Sequence, residues 1–196
     1  MRCINVASAE IKVFYDYGGS DTLPGTSSNI TDNGINKLRF KQADNNDIDL
    51  NNPIPVPSTG TEYSYWKTIY LKCTAINEAS QINNVQFYSD GAVFTDYTGI
   101  TLKVGEQFPI RRSDVTIGYD VADAAESMIP SYCSSSVDVS TLTSSSSLSL
   151  TIQETGNIID ATDETTNCLI LQLEVGSTAS SGTLTAETLT LSYDEA

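Results

Sequence analysis

The clearest alternation of apolar and polar positions lies in Tyr63–Ile76, Tyr-Ser-Tyr-Trp-Lys-Thr-Ile-Tyr-Leu-Lys-Cys-Thr-Ala-Ile. From Ile69 onward the period is two. Ile69, Leu71, Cys73 and Ala75 point to one face; Trp66, Thr68, Tyr70, Lys72 and Thr74 point to the other. That period is the signature of a strand with one face on a core. The second face carries two large aromatics, so what covers Trp66 and Tyr70 is the first functional question this stretch poses.

The same pattern recurs along the chain. Glu10–Tyr17 reads as a first strand, with Ile11, Val13, Tyr15 and Tyr17 together. Gly18–Gly34 is rich in turn formers and reads as a loop. Asn36–Gln42 reads as a second strand, with Leu38 and Phe40 inward and Lys37, Arg39 and Lys41 as a basic ladder on the other face. Like charges in such a ladder call either for an acidic neighbour or for an edge guarded by lysines. Ala43–Gly60 is a long irregular connection whose Pro53, Pro55 and Pro57 exclude a central strand. After Tyr63–Ile76, strands are predicted at Asn83–Ser89, Gly99–Val104, Asp114–Val121, Val137–Leu142, Ser147–Ile152, Cys168–Val175 and Leu184–Tyr193. The last two are expected to pair with each other across Gly176–Gly182. Only Ala122–Ile129 suggests a helical turn, and Asn157–Asn167 reads as an acidic loop. About ten short strands with turn signals between them predict an all-β fold, a single β-sandwich of jelly-roll or immunoglobulin-like type. Residues 1–9 are expected to form an N-terminal arm and residues 10–196 the sandwich domain.

Composition sharpens this picture. The chain has 196 residues, 18% of them charged, with a formal net charge of -15. The charge is uneven: Ser113–Ala196 carries 13 acidic and no basic side chains. Nucleic acid is therefore not expected as a partner, because phosphate neutralisation needs clustered Lys and Arg. An acidic half can simply be a solvated surface, or it can meet a more basic patch on a neighbouring copy. The opening Met-Arg-Cys-Ile-Asn-Val-Ala-Ser-Ala-Glu is not a signal peptide, since Asn5 interrupts a short apolar run. No stretch approaches the roughly 18 apolar residues of a membrane helix.

The absence of histidine excludes the usual triads and removes the commonest metal ligand. No nucleophile elbow, phosphate loop or dinucleotide fingerprint occurs, so no enzymatic activity is expected. Cys3, Cys73, Cys133 and Cys168 are widely spaced, which speaks against zinc and allows either two disulfides or, for Cys73 on its core face, a buried thiol. Asp44, Asp47 and Asp49 form the densest set of oxygen ligands and are the candidate structural calcium site; Ile48 and the lack of a following glycine break the EF-hand pattern. Aromatics on an exposed sheet face can stack on sugars, so a carbohydrate-binding module using Trp66 and Tyr70 is the alternative to coverage by protein.

Several phrases carry a resemblance: Val-Phe-Tyr-Asp-Tyr-Gly-Gly (13–19), Asn-Pro-Ile-Pro-Val-Pro (52–57), Tyr-Ser-Tyr-Trp-Lys (63–67), Gln-Phe-Tyr-Ser-Asp-Gly (86–91) and the closing Ser-Gly-Thr-Leu-Thr-Ala-Glu-Thr-Leu-Thr-Leu-Ser-Tyr-Asp-Glu (181–195). Together they resemble β-rich structural proteins of phage and environmental viral genomes, and are similar to single-domain subunits of helical fibrils from water samples. The resemblance implies a sandwich with a structural role, extracellular or in a virion, and no catalytic residue. The expectation from sequence is thus a self-assembling subunit whose partner is itself. Its interface is expected at Cys3, Ile4, Val6, Lys37, Arg39, Lys41, Trp66 and Tyr70 and at the C-terminal strand.

Overall fold

The structure, a computed structural model, describes residues 8–20, 23–29, 38–43, 45, 47, 50–76, 80–111, 133, 135–152 and 156–196. The expected strand Asp114–Val121, the helical turn Ala122–Ile129 and residues 1–7 of the arm lie outside the described residues. Within them the chain is all-β. Ten strands form two antiparallel sheets packed face to face.

The large sheet contains β1 (Glu10–Ser20), β2 (Leu23–Asn29), β3 (Thr61–Tyr63), β4 (Lys67–Ala75), β6 (Ile100–Arg111), β7 (Val137–Asp138) and β9 (Asn167–Gly176). Its order is β2-β1-β4-β9-β6-β7, with β3 also paired to β9. The small sheet has the order β10-β5-β8, from β10 (Leu189–Glu195), β5 (Ile82–Ser89) and β8 (Leu148–Ser149). Ile69, Leu71 and Cys73 of β4, Leu102 and Val104 of β6, and Leu169, Leu171 and Leu173 of β9 meet Ile82, Val85 and Phe87 of β5 in one core. Period-two alternation produces this face directly.

Strand β9 is buried on both faces, from Asn167 to Leu173 without interruption. Such a strand reads as a continuous apolar run, here Cys-Leu-Ile-Leu, because neither face meets water. The focal stretch is β4 preceded by a break. Ser64, Tyr65 and Trp66 stand opposite only Gln172 and Leu173, so one extra residue is inserted between β3 and β4. Ser64 repairs the ladder there. Its N–H donates to Leu173 O at 2.8 Å, its Oγ accepts from Leu173 N at 2.9 Å, and its carbonyl accepts from Gln172 Nε2 at 3.0 Å.

Three expectations are corrected. Leu23–Asn29 is a strand rather than loop; Pro24 is accommodated because β2 is an edge strand. Residues 38–43 are not a strand, because their backbone groups bond elsewhere: Lys41 O accepts from Tyr65 N and Gln42 N donates to Asn52 O. The C-terminal strand pairs with β5 in the small sheet and not with β9, because β9 already has β3, β4 and β6 on its two edges.

Candidate functional site

The rings of Trp66 and Tyr70 do not face solvent; they are 4% and 2% exposed. Tyr70 sits opposite Phe14 of β1, and the two rings stack with centroids 5.7 Å apart. Lys72 Nζ lies 5.7 Å from the Phe14 centroid, a cation over an aromatic face. Trp66 packs with Cys133 and Ile170 on the far side of the large sheet, where Tyr65 lies against them. The pair that suggested a sugar platform, or contact with a neighbouring copy, is therefore covered within the fold.

The basic ladder is dissolved in a similar way. Lys37 lies outside the described residues, Arg39 is half-buried and Lys41 is buried. Lys41 Nζ donates to Asp47 O at 3.3 Å. A second lysine joins it: Lys67, fully buried at the start of β4, donates to Asn45 O at 2.7 Å. Two ammonium groups thus reach carbonyls two positions apart in one loop, and Asn45 Oδ1 turns that loop by accepting from Asp47 N at 3.1 Å. Of the candidate calcium ligands, Asp44 and Asp49 lie outside the described residues and Asp47 is exposed. Among the described residues no three His, Cys, Asp or Glu side chains gather into a metal site. Lys67 was missed because its alternation places it on the core face, where a charged residue is not expected.

Cys73, Cys133 and Cys168 are buried and form no disulfide among the described residues, and Cys3 lies outside the described residues. Burial raises the Cys73 and Cys133 thiols above their ordinary value, and Glu164 and Asp163 add to the rise at Cys73 against a backbone hydrogen bond at Ala75. Both stay protonated near neutrality, which makes them poor nucleophiles.

What the fold does present is an edge. Edge strands expose unpaired N–H and C=O groups and are usually kept short, or interrupted by proline or lysine. At the ends of the sheets β7 and β8 have two residues each, and β2 carries Pro24. The remaining end strand, β10, has seven residues, Leu-Thr-Leu-Ser-Tyr-Asp-Glu, with neither proline nor lysine. Among the described residues no strand lies beyond it. Leu189 and Leu191 turn toward the core, and Tyr193 is 36% exposed. Burial, then Glu195, raise the Tyr193 phenol and keep it a hydrogen-bond donor.

The end of β10 is tied to the beginning of the sandwich. Ala9 N donates to Glu195 Oε1 at 2.7 Å, and Ala9 itself is buried in the core. Ala196 and Gln81 exchange two backbone hydrogen bonds at 2.9 Å. Asn84 Nδ2 donates to Asp194 Oδ2 at 2.9 Å. Asn84 holds a positive φ of 49° and is the extra residue by which β5 bulges against β10, so β10 keeps its own alternation to the end. Comparison with protein-family models, with curated proteins and with solved structures returns no match to this chain.

Proposed function

We propose that this chain is a structural subunit that assembles with copies of itself into an extracellular fibril or a virion component, an appendage or decoration layer. The observation that carries this reading is the contrast among the sheet ends. Three are short or interrupted by proline, while β10 has seven residues and, among the described residues, no strand beyond it. A long edge strand with neither proline nor lysine, and no charge before Asp194, favours strand addition by another chain. A head-to-tail contact of that kind uses two different surfaces of the subunit, and propagates when its rotation does not close. The charge distribution supports the same reading, since Ser113–Ala196 holds 13 acidic and no basic side chains while every Lys and Arg lies before it.

Negative-stain microscopy with analytical ultracentrifugation of the purified protein tests the proposal. Filaments, rings or a concentration-dependent series of oligomers are expected, weakening as salt rises and screens the charge contact. A monomer at all concentrations and salts overturns it.

A further inference from the structure

We infer that the outer face of the small sheet is a binding site for neutral carbohydrate, a function separate from assembly. Alternation sets which side chains lie there. Val85 and Phe87 of β5 are buried in the core, so Gln86 and Tyr88 take the outer face, joined by exposed Asn84 of the bulge. In β10, Leu189 and Leu191 pack on the core. Thr190, opposite Tyr88, and Ser192, opposite Gln86, therefore share the outer face with Asp194.

This composition differs from that of a merely solvated strand face, which draws freely on lysine, arginine and glutamate. Among the described residues the three strands present amides, hydroxyls and one tyrosine there, with Asp194 as the single charge. The side chains are also tied to one another. Gln86 Nε2 donates to Asn84 Oδ1 at 2.8 Å and to Ser149 Oγ at 3.1 Å. Gln86 Oε1 accepts from Ser147 Oγ at 2.7 Å, and Asn84 Nδ2 donates to Asp194 Oδ2 at 2.9 Å. One hydrogen-bonded row thus crosses from β8 through β5 to β10. Side chains held in this way lose little further freedom when a ligand arrives.

The chemistry of the row selects the ligand. A sugar hydroxyl both donates and accepts, which matches a mixture of amide, hydroxyl and carboxylate groups whose oxygens keep spare lone pairs. Tyr88, half-buried beside Gln86, adds a ring with an apolar body and a polar tip, suited to the C–H face of a pyranose. Other partner classes fit this face less well. Nucleic acids and acidic polysaccharides require lysine or arginine, and this face has neither. A protein interface is built around an apolar centre rich in aromatics, and here a single tyrosine stands among polar groups. A neutral, polyhydroxylated ligand is what remains.

A printed array carrying neutral glucans, mannans, galactans and N-acetylglucosamine oligomers, beside sialylated and sulfated glycans, tests this with the full chain. Saturable binding to one neutral class is expected. Titration of the isotopically labelled protein with that oligosaccharide should then shift the side-chain amide resonances of Gln86 and Asn84. Tyr88→Ala is expected to weaken binding about tenfold. Because Tyr88 also packs on the core, Ser149→Lys serves as a second variant: it sets a long cation beside Gln86 from an exposed position and is expected to abolish binding with no change in melting temperature. Binding to no neutral glycan, binding to anionic glycans alone, or binding untouched by both variants overturns the inference. Loss of self-association on Ser149→Lys, in a chain that binds no glycan, makes the face a subunit contact and overturns it too.

Discussion

The sulfur of Cys133 occupies the space that a side chain on Gly105 would need: a Cβ built there would lie 2.8 Å from Cys133 Sγ and 2.8 Å from Ser135 O. Gly105 sits opposite Ile170 in the β6–β9 ladder, so this close approach seats Cys133 and Ser135 on the far face of the large sheet. Gly105→Ala has no flexible neighbour to push aside, because one of the two contacts is backbone. A loss of about 1–3 kcal/mol is expected, read as a fall in melting temperature of about 2–4 °C per kcal/mol for a chain of this size. An unchanged melting temperature would refute the seating of Cys133 against β6.

The buried ammonium of Lys67 separates two contributions. Its stem fills the core face opposite Leu171, and its Nζ satisfies Asn45 O. Lys67→Met keeps most of the volume and removes a costly buried charge, while Lys67→Ala removes the stem as well. The alanine variant is expected to lose about 2–5 kcal/mol and the methionine variant clearly less, compared by urea denaturation. Equal losses would mean that the ammonium, not the stem, dominates.

The same loop bears on calcium. The carbonyls of Asn45 and Asp47 are already directed at Lys67 and Lys41, and an added divalent cation would face two positive charges at short range. Calcium is expected to give no heat in titration calorimetry and no shift in melting temperature. A saturable heat, lost on Asp47→Asn, would reverse this.

Glu174 supplies a pH dependence. Burial raises its carboxyl above the ordinary value, with Lys103 opposing the rise and Asp138 adding to it. A folded-state value above the unfolded one means that the native chain binds the extra proton between the two, so stability falls as pH rises through that window. Glu174→Gln is therefore expected to stabilise the protein at neutral pH, and to make no difference below the unfolded carboxyl value near 4.3. Denaturant midpoints at the two pH values check the sign.

The buried thiols give a simple chemical readout. Cys73 and Cys133 are fully buried with raised values, so both are expected to resist iodoacetamide in the native state and to react once the chain is unfolded. Rapid native labelling of Cys73 would contradict its place in the inter-sheet core.

How far the sequence could be read follows from what each residue meets. Alternation in Glu10–Tyr17, Tyr63–Ile76 and Asn83–Ser89 marked β1, β4 and β5, because one-sided burial leaves a period of two. The break at Ser64 was illegible, since a serine that replaces ladder bonds looks like any polar residue. Strand β2 was hidden by Pro24-Gly25, which local rules read as a turn, although an edge strand tolerates both. Residues 38–42 misled in the opposite direction: Leu38 and Phe40 do pack on the core, but the chain reaches it without a ladder among the described residues. The aromatic pair showed in the sequence as a feature to be explained. Its cover did not, because Phe14 and Cys133 are brought to it by pairings far apart in the chain.

The place of β9 in the large sheet has a consequence for synthesis. Among the described strands, β4 and β6 are joined through β9 alone, which follows both in the chain. As the polypeptide leaves the ribosome, the facing edges of β4 and β6 wait for their described partner until Asn167–Gly176 has emerged. The small sheet waits longer, for β10. Closure of the domain is thus a late, long-range event, slow by its topology. Until then the nascent chain exposes hydrophobic strand edges that other chains can capture.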